Sequence, residues 1–288
     1  MVPEAAARAH VEAILPVIQE ALEASGLQSN DLGAVAVTNR PGLLAALSVG
    51  VTAGKAMAFG LGLPFLGVHH LEGHLLSVLA NRREVPFPHA CLIVSGGHTE
   101  LVMVEGLGSY RIVGQTLDDA AGEAFDKGAR LLGLGYPGGR AIQEQALLGN
   151  PLRYALPKGL SGETLDFSFS GLKTALLRLV EREGATLSVP DAAASLQHTL
   201  VSVLTERALR AARTLGVSAL SLVGGVAANE SLRLSLAREC SREGIEFLTP
   251  APEMCTDNAA MIGVAASYRL ARGERDTWDL DCLPNAAL

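Results

Sequence analysis

The sequence predicts an α/β protein with largely parallel sheets, and three observations carry that expectation. Short aliphatic runs alternate with longer stretches whose apolar residues recur at helical spacing. Hydrophobic residues make up 49% of the chain but aromatics only 4%, the mark of aliphatic strands and alanine-rich helices. Strand, helix and strand signals keep alternating through the second half, down to Glu246-Phe247-Leu248.

Taken in order, Val11, Ile14, Leu15, Ile18 and Leu22 place a helix over Glu4–Ser25, stopped at Gly26, with Pro16 expected to kink it or mark a break. Ala34–Val37 reads as a strand, Asn39-Arg40-Pro41-Gly42 as a turn, Leu43–Leu61 as a small-residue helix and Phe65–Val68 as a second strand. Residues 82–88, ending in Pro86 and Pro88, mark a boundary. Ala90–Val94 and Leu101–Val104 form a hairpin whose tip is Ser95-Gly96-Gly97-His98-Thr99. Alternating elements then run to a strand at Glu246–Leu248, and a helix from Asp257 to Leu270 closes the pattern.

Composition narrows the function. At 288 residues the chain can bury one large core or two. A net charge of −7 argues against holding nucleic acid by bulk electrostatics. The four cysteines lack paired ligand spacing and read as reduced thiols of a cytoplasmic protein. Met1-Val2-Pro3-Glu4 lacks a signal-peptide pattern, and glycine, proline and charge break every apolar stretch before it could span a bilayer.

His70 and His74 stand four residues apart in His70-Leu71-Glu72-Gly73-His74, so one helix face can present both imidazoles to one ion. The helical zinc-protease motif needs a glutamate directly after its first histidine; Leu71 fills that slot. Asp257, at a helix start, is either an N-terminal cap or a third ligand. Two imidazoles and a carboxylate suit ferrous iron or zinc. Three glycine turns, Ser95-Gly96-Gly97, Gly138-Gly139 and Gly224-Gly225, could turn backbone amides toward an anion, and together they suggest a nucleotide lying across a cleft. Asp126 reads as a helical residue whose plainest role is a surface pair with Arg130.

Six ordered motifs then carry a resemblance: His70-Leu-Glu-Gly-His74, Val94-Ser-Gly-Gly-His98-Thr99, Asp118-Asp119-Ala-Ala-Gly-Glu-Ala-Phe-Asp126-Lys127, Phe167-Ser-Phe-Ser-Gly-Leu-Lys173-Thr174, Gly224-Gly-Val-Ala-Ala-Asn229 and Thr256-Asp257-Asn258. The chain resembles, essentially end to end, the bacterial TsaD (Gcp) family of tRNA adenosine threonylcarbamoyltransferases, once labelled O-sialoglycoprotein endopeptidases. The resemblance implies an actin-like ATPase (ASKHA) fold, two ribonuclease-H-like lobes with a central nucleotide cleft. They are expected at 1–88 plus 259–288 and at 89–258. It implies transfer of a threonylcarbamoyl group from threonylcarbamoyl-AMP to the N6 amine of the adenosine beside the anticodon in tRNAs reading ANN codons.

By position, the resemblance makes His70, His74 and Asp257 the ligands of one divalent metal, iron(II) or zinc. The segment Ile93, Val94, Ser95, Gly96 and Gly97 would cradle the phosphate or carbamoyl end, and Asp126, Gly139 and Asn229 the nucleoside. The partners implied are tRNA, engaged through a complex, a homologous actin-like (TsaB-like) subunit and a small (TsaE-like) ATPase; a homodimer is also open, and no membrane. Relatives begin with an earlier strand and a phosphate-contacting turn, so the first lobe is expected to lack its opening strands. The competing readings are a catalytically silent nucleotide-binding partner of the same fold and a zinc metalloprotease, the latter lacking its base.

Overall fold

The computed structural model describes residues 3–80, 82 and 84–288; Met1 and Val2 of the N-terminal reading and Arg83 of the boundary segment lie outside the described residues. In chain order the elements are α1 (Pro3–Ser25), β1 (Val35–Arg40), α2 (Leu44–Leu61), β2 (Phe65–His69), α3 (His70–Leu76), β3 (His89–Val94), β4 (Thr99–Gly106), β5 (Ser109–Gln115) and α4 (Ala121–Leu131). They continue with α5 (Gly138–Ala146), α6 (Ser170–Glu183), α7 (Val189–Leu215), β6 (Ala219–Val223), α8 (Glu230–Glu243), β7 (Glu246–Leu248) and α9 (Ala259–Ala271). The chain divides into two compact units, Met1–Ala80 with Asn258–Leu288, and Asn81–Asp257.

In the first unit β1 and β2 pair in parallel, Val35 opposite Phe65 and Thr38 opposite Val68, with an irregularity before Arg40. The helix α2 links them and buries Leu47, Val51 and Ala58 with Phe65 and Cys282. Gly54 lets it close on the sheet, because a β-carbon there would lie 2.3 Å from Cγ1 of Val37. Two expectations fail here. Asn39 and Arg40 extend β1 instead of forming a turn, because the C-terminal segment pairs with this stretch: the Leu283 amide donates to the Asn39 carbonyl at 2.9 Å, and Asn39 Nδ2 donates to the Asp281 carbonyl at 3.1 Å. The glycines of α2 interrupt neither the helix nor its apolar character. With a mean hydropathy of 1.5 over 18 residues it is long and apolar enough to cross a bilayer by composition alone. Pro16 does not break α1, which continues as one helix across it.

The second unit carries a five-stranded sheet in the order β5-β4-β3-β6-β7. The pairs β3–β4 and β4–β5 are antiparallel, whereas β3–β6 and β6–β7 are parallel. The sheet is therefore mixed, and β5 is an element the sequence reading passed over, since its burial is low and its apolar signal correspondingly weak. One sheet face packs Leu92, Val94, Leu101, Leu220 and Leu222 against α4, α6 and α7. Ser188 caps α7 by accepting the Asp191 amide, and Gly216 ends it in the left-handed conformation at φ 65.

Candidate metal and nucleoside sites

Within the first unit α3 starts at His70, so His70 and His74 lie one turn apart on the same face. Their ring centroids are 4.8 Å apart with planes at 80°. Gly73 lets α9 approach this short helix, because a β-carbon at Gly73 would meet Ile262 Cδ1 at 2.8 Å. The N-cap of α9 is Asn258, whose Oδ1 accepts the Met261 amide at 2.8 Å. This corrects the expectation of a helix beginning at Asp257: Asn258 performs the capping, and Asp257 immediately precedes it. One candidate donor atom from each of His70, His74 and Asp257 lies within 4.8 Å of the other two. Tetrahedral bonds of about 2.0–2.2 Å set donors roughly 3.4 Å apart, so the separations in this set are of the order an ion needs. His74 is buried, His70 half-buried and Asp257 exposed. Glu72 is buried and outside the donor set, so it does not supply the base that the protease motif requires.

A second cluster is built in the other unit at the carboxyl ends of β3 and β6, which run side by side with Ile93 opposite Val223. Strand ends of this kind are where α/β sheets present ligands. Gly224 adopts φ +92, and a β-carbon there would sit 2.4 Å from the Val94 carbonyl oxygen. Gly122, at the start of α4, donates its amide to the Ser95 carbonyl at 3.2 Å, where a β-carbon would stand 2.5 Å from that oxygen. Both glycines are required by close backbone approach. The side chains of Ile93 and Val94 are fully buried, so those residues can offer a ligand only their main chain.

The tip itself departs from a simple anion nest. Ser95 Oγ accepts the His98 amide at 3.1 Å and the Gly97 amide at 3.4 Å, and the Ser95 amide donates to the His98 carbonyl at 2.8 Å. The Gly96 amide makes no hydrogen bond among the described residues and is the donor left for a ligand. Gly97 is not in the left-handed region, and its β-carbon position is open.

Asp126 lies on α4 as expected, but its Oδ1 accepts the Gly138 amide at 2.8 Å, and no ion pair joins it to Arg130 among the described residues. Gly139 follows in the first turn of α5. Asn229 caps α8, accepting the Leu232 amide at 3.0 Å, and its Nδ2 donates to Gln197 Oε1 at 2.9 Å. Gln143 on α5 accepts the Glu230 amide at 3.0 Å and ties the Asp126–Gly139 segment to the Asn229 turn. Gln197 and Gln143 are participants that sequence reasoning missed, since a glutamine on a helix has no spacing signature. Glu100, beside the tip, was also missed. Its Oε2 is buried without a partner, and burial raises its carboxyl above the ordinary range.

Burial pushes the Cys91 thiol up to about 12, against the pull of a hydrogen bond with Ser221, and pushes Cys240 up to about 11. Such thiols stay protonated and offer no nucleophile. Asp118 behaves oppositely. Partial burial would raise its carboxyl, but hydroxyl groups of Ser168 and Ser170 and amides of Phe169 and Ser170 draw it down to about 2. That carboxylate clamps the start of α6.

The architecture and the sites define an α/β protein of actin-like (ASKHA) fold with a His–His–Asp donor set. The solved structures it resembles show the same fold. HypF from T. kodakarensis aligns over 91% of this chain and 43% of its own with a TM-score of 0.64 at 16% identity. Full-length HypF in a phosphate- and nucleotide-bound form aligns over 89% and 41% with a TM-score of 0.63, also at 16% identity. The chain belongs to the TsaD family, described as tRNA N6-adenosine threonylcarbamoyltransferase, whose signature matches residues 1–264. Relatives bearing that name include one from Anaeromyxobacter dehalogenans, 51% identical over 99% of this chain and 86% of its own. Others come from Syntrophotalea carbinolica, 47% identical over 99% and 84%, and Clostridium perfringens, 45% identical over 100% and 86%.

Proposed function

We propose that this chain transfers the threonylcarbamoyl group of threonylcarbamoyl-AMP to the N6 amine of the adenosine beside the anticodon in tRNAs that read ANN codons. The observation that carries the reading is the convergence of His70, His74 and Asp257, residues widely separated in sequence, in a chain of this family. The amine attacks the carbamoyl carbon, the carbon–oxygen bond to phosphate breaks, AMP leaves with the electron pair, and the amine proton is released. No covalent enzyme intermediate is needed, in keeping with the protonated, buried thiols.

Asp126, Gly139 and Asn229 hold the nucleoside, and the Gly96 amide faces the phosphate or carbamoyl oxygen in a fixed orientation that costs no reorganisation during reaction. A divalent ion bound by His70, His74 and Asp257, with iron(II) and zinc both matching the donors, would supply Lewis-acid stabilisation of negative charge. The chain works in the cytoplasm within a complex. The exposed Val11, Leu15 and Val17 of α1 and Leu44 and Phe59 of α2 offer apolar surface to a homologous actin-like subunit, with a small ATPase completing the assembly.

The test is incubation of the chain and these two partners with tRNA and threonylcarbamoyl-AMP, followed by mass analysis of the digested nucleosides. The reading expects N6-threonylcarbamoyladenosine. Unmodified adenosine from an assembly that binds both substrates would reject it.

A further inference from the structure

Tyr136 stands apart from the other aromatic side chains. It is 87% exposed, the most exposed large apolar side chain among the described residues. Other exposed rings lean on neighbours: Phe59 lies 5.8 Å from Trp278, and Phe87 lies 5.6 Å from His89, centroid to centroid. Tyr136 makes no such contact and no hydrogen bond through its hydroxyl among the described residues. Folding alone therefore gives this ring no packing role.

Its mount is nevertheless fixed. On one side the Gly133 amide bonds the Arg130 carbonyl at 3.2 Å and the Leu134 amide bonds the Ala129 carbonyl at 2.8 Å, closing the end of α4. On the other, two residues beyond Tyr136, the Gly138 amide is held by Asp126 at 2.8 Å. The ring is thus carried on a short turn tied at both ends, at the rim of the segment assigned above to the nucleoside. Arg130 precedes it and Arg140 follows it in the sequence, both exposed, and Arg140 Nε donates to Glu144 Oε1 at 2.8 Å. An exposed π-face on a fixed mount is the chemistry that receives unstacked bases of an RNA loop. In a chain of net charge −7, stacking must carry more of the RNA contact than bulk phosphate attraction does.

We infer that Tyr136 is a stacking platform for an unpaired purine of the tRNA anticodon loop. The inference rests on the proposed tRNA function and adds the residue that receives the loop. The same flat purine chemistry exists in the adenine of the adenylate, and the experiment separates the two sources.

The measurement uses the assembled complex with wild-type, Tyr136→Ala and Tyr136→Phe chains. RNA arms read the KM for tRNA and the fluorescence of an anticodon stem-loop carrying 2-aminopurine at the target adenosine. The other arms are titration calorimetry with an adenine nucleotide and a melting curve. Loss of one base stack weakens binding by about 5- to 100-fold. Tyr136→Ala should raise the tRNA KM by about that factor and abolish the fluorescence quenching seen with wild type. Nucleotide affinity and melting temperature should stay unchanged, and Tyr136→Phe should restore both RNA readouts. A folded Tyr136→Ala chain with wild-type RNA readouts overturns the inference while leaving the tRNA function standing. Lost nucleotide affinity with intact RNA binding also overturns it, placing the ring against the adenylate. A wild-type complex that binds no stem-loop overturns both.

Discussion

Oδ1 of Asp126 and the amide of Gly138 are joined at 2.8 Å, so close that a β-carbon on Gly138 would stand 2.5 Å from the Asp126 α-carbon. One carboxylate on α4 thereby sets where α5 begins, and Gly138 is needed for contact, with no left-handed conformation involved. Gly138→Ala should push the two segments apart, cost about 1–3 kcal/mol by overpacking, and weaken adenine-nucleotide binding at least tenfold. Calorimetric titration and a urea melt measure both effects. Wild-type nucleotide affinity in the variant would remove this pair from the site.

Metal content should follow the three donors one by one. His70→Ala, His74→Ala and Asp257→Ala are each expected to lower bound iron or zinc well below stoichiometric, read by elemental analysis of the purified chain. Asp257→Ala, at an exposed position, should leave the melting temperature near wild type apart from the lost metal contribution. Unchanged stoichiometry in the His74 variant would sink the assignment.

Asp118 makes a pH prediction whose sign follows from its depressed carboxyl. The folded value of about 2 lies below the ordinary 3.8, so the stabilisation is complete above roughly pH 4 and drains away as pH falls toward 2. Asp118→Ala should cost about 1–2 kcal/mol at neutral pH, as loss of a helix cap does. The difference between wild-type and variant denaturation midpoints should be flat from pH 7 to about 4.5 and shrink below that. A gap that widens on acidification contradicts the clamp.

At Gly97 the open β-carbon position and ordinary backbone angle make the expected result a separation of stability from binding. Gly97→Val should shift stability by less than about 1 kcal/mol and reduce nucleotide affinity more than tenfold, because only the ligand contests that space. Full-strength binding by the folded variant would exclude the tip from the site.

The net charge of −7 predicts that the chain alone holds tRNA weakly in about 0.15 M salt and that the partner subunits supply most of the affinity. A gel-shift titration with and without them decides it. Tight binding by the isolated chain contradicts the need for an assembly.

The sequence by itself determined the α/β class, the β3–β4 hairpin with a glycine tip after Ser95, the one-turn spacing of His70 and His74, and the family, because each is written in local periodicity or in ordered motifs. It did not determine that Asn39 belongs to a strand, that the sheet is mixed, or that Asn258 rather than Asp257 caps α9. Those depend on partners far along the chain: the Asn39 carbonyl needed Leu283, and β3 needed β6 beside it. The site divides in the same way. The histidine pair could be read from spacing and the nucleoside residues only from the family resemblance, whereas the Asp126–Gly138 bond, the Gln197–Asn229 bond and the close approaches at Gly122 and Gly224 arise only when separate segments pack. A hydrogen bond between side chains on different elements leaves no period in the sequence, so the tertiary structure alone decided which polar groups were spent on the fold and which remained for a ligand.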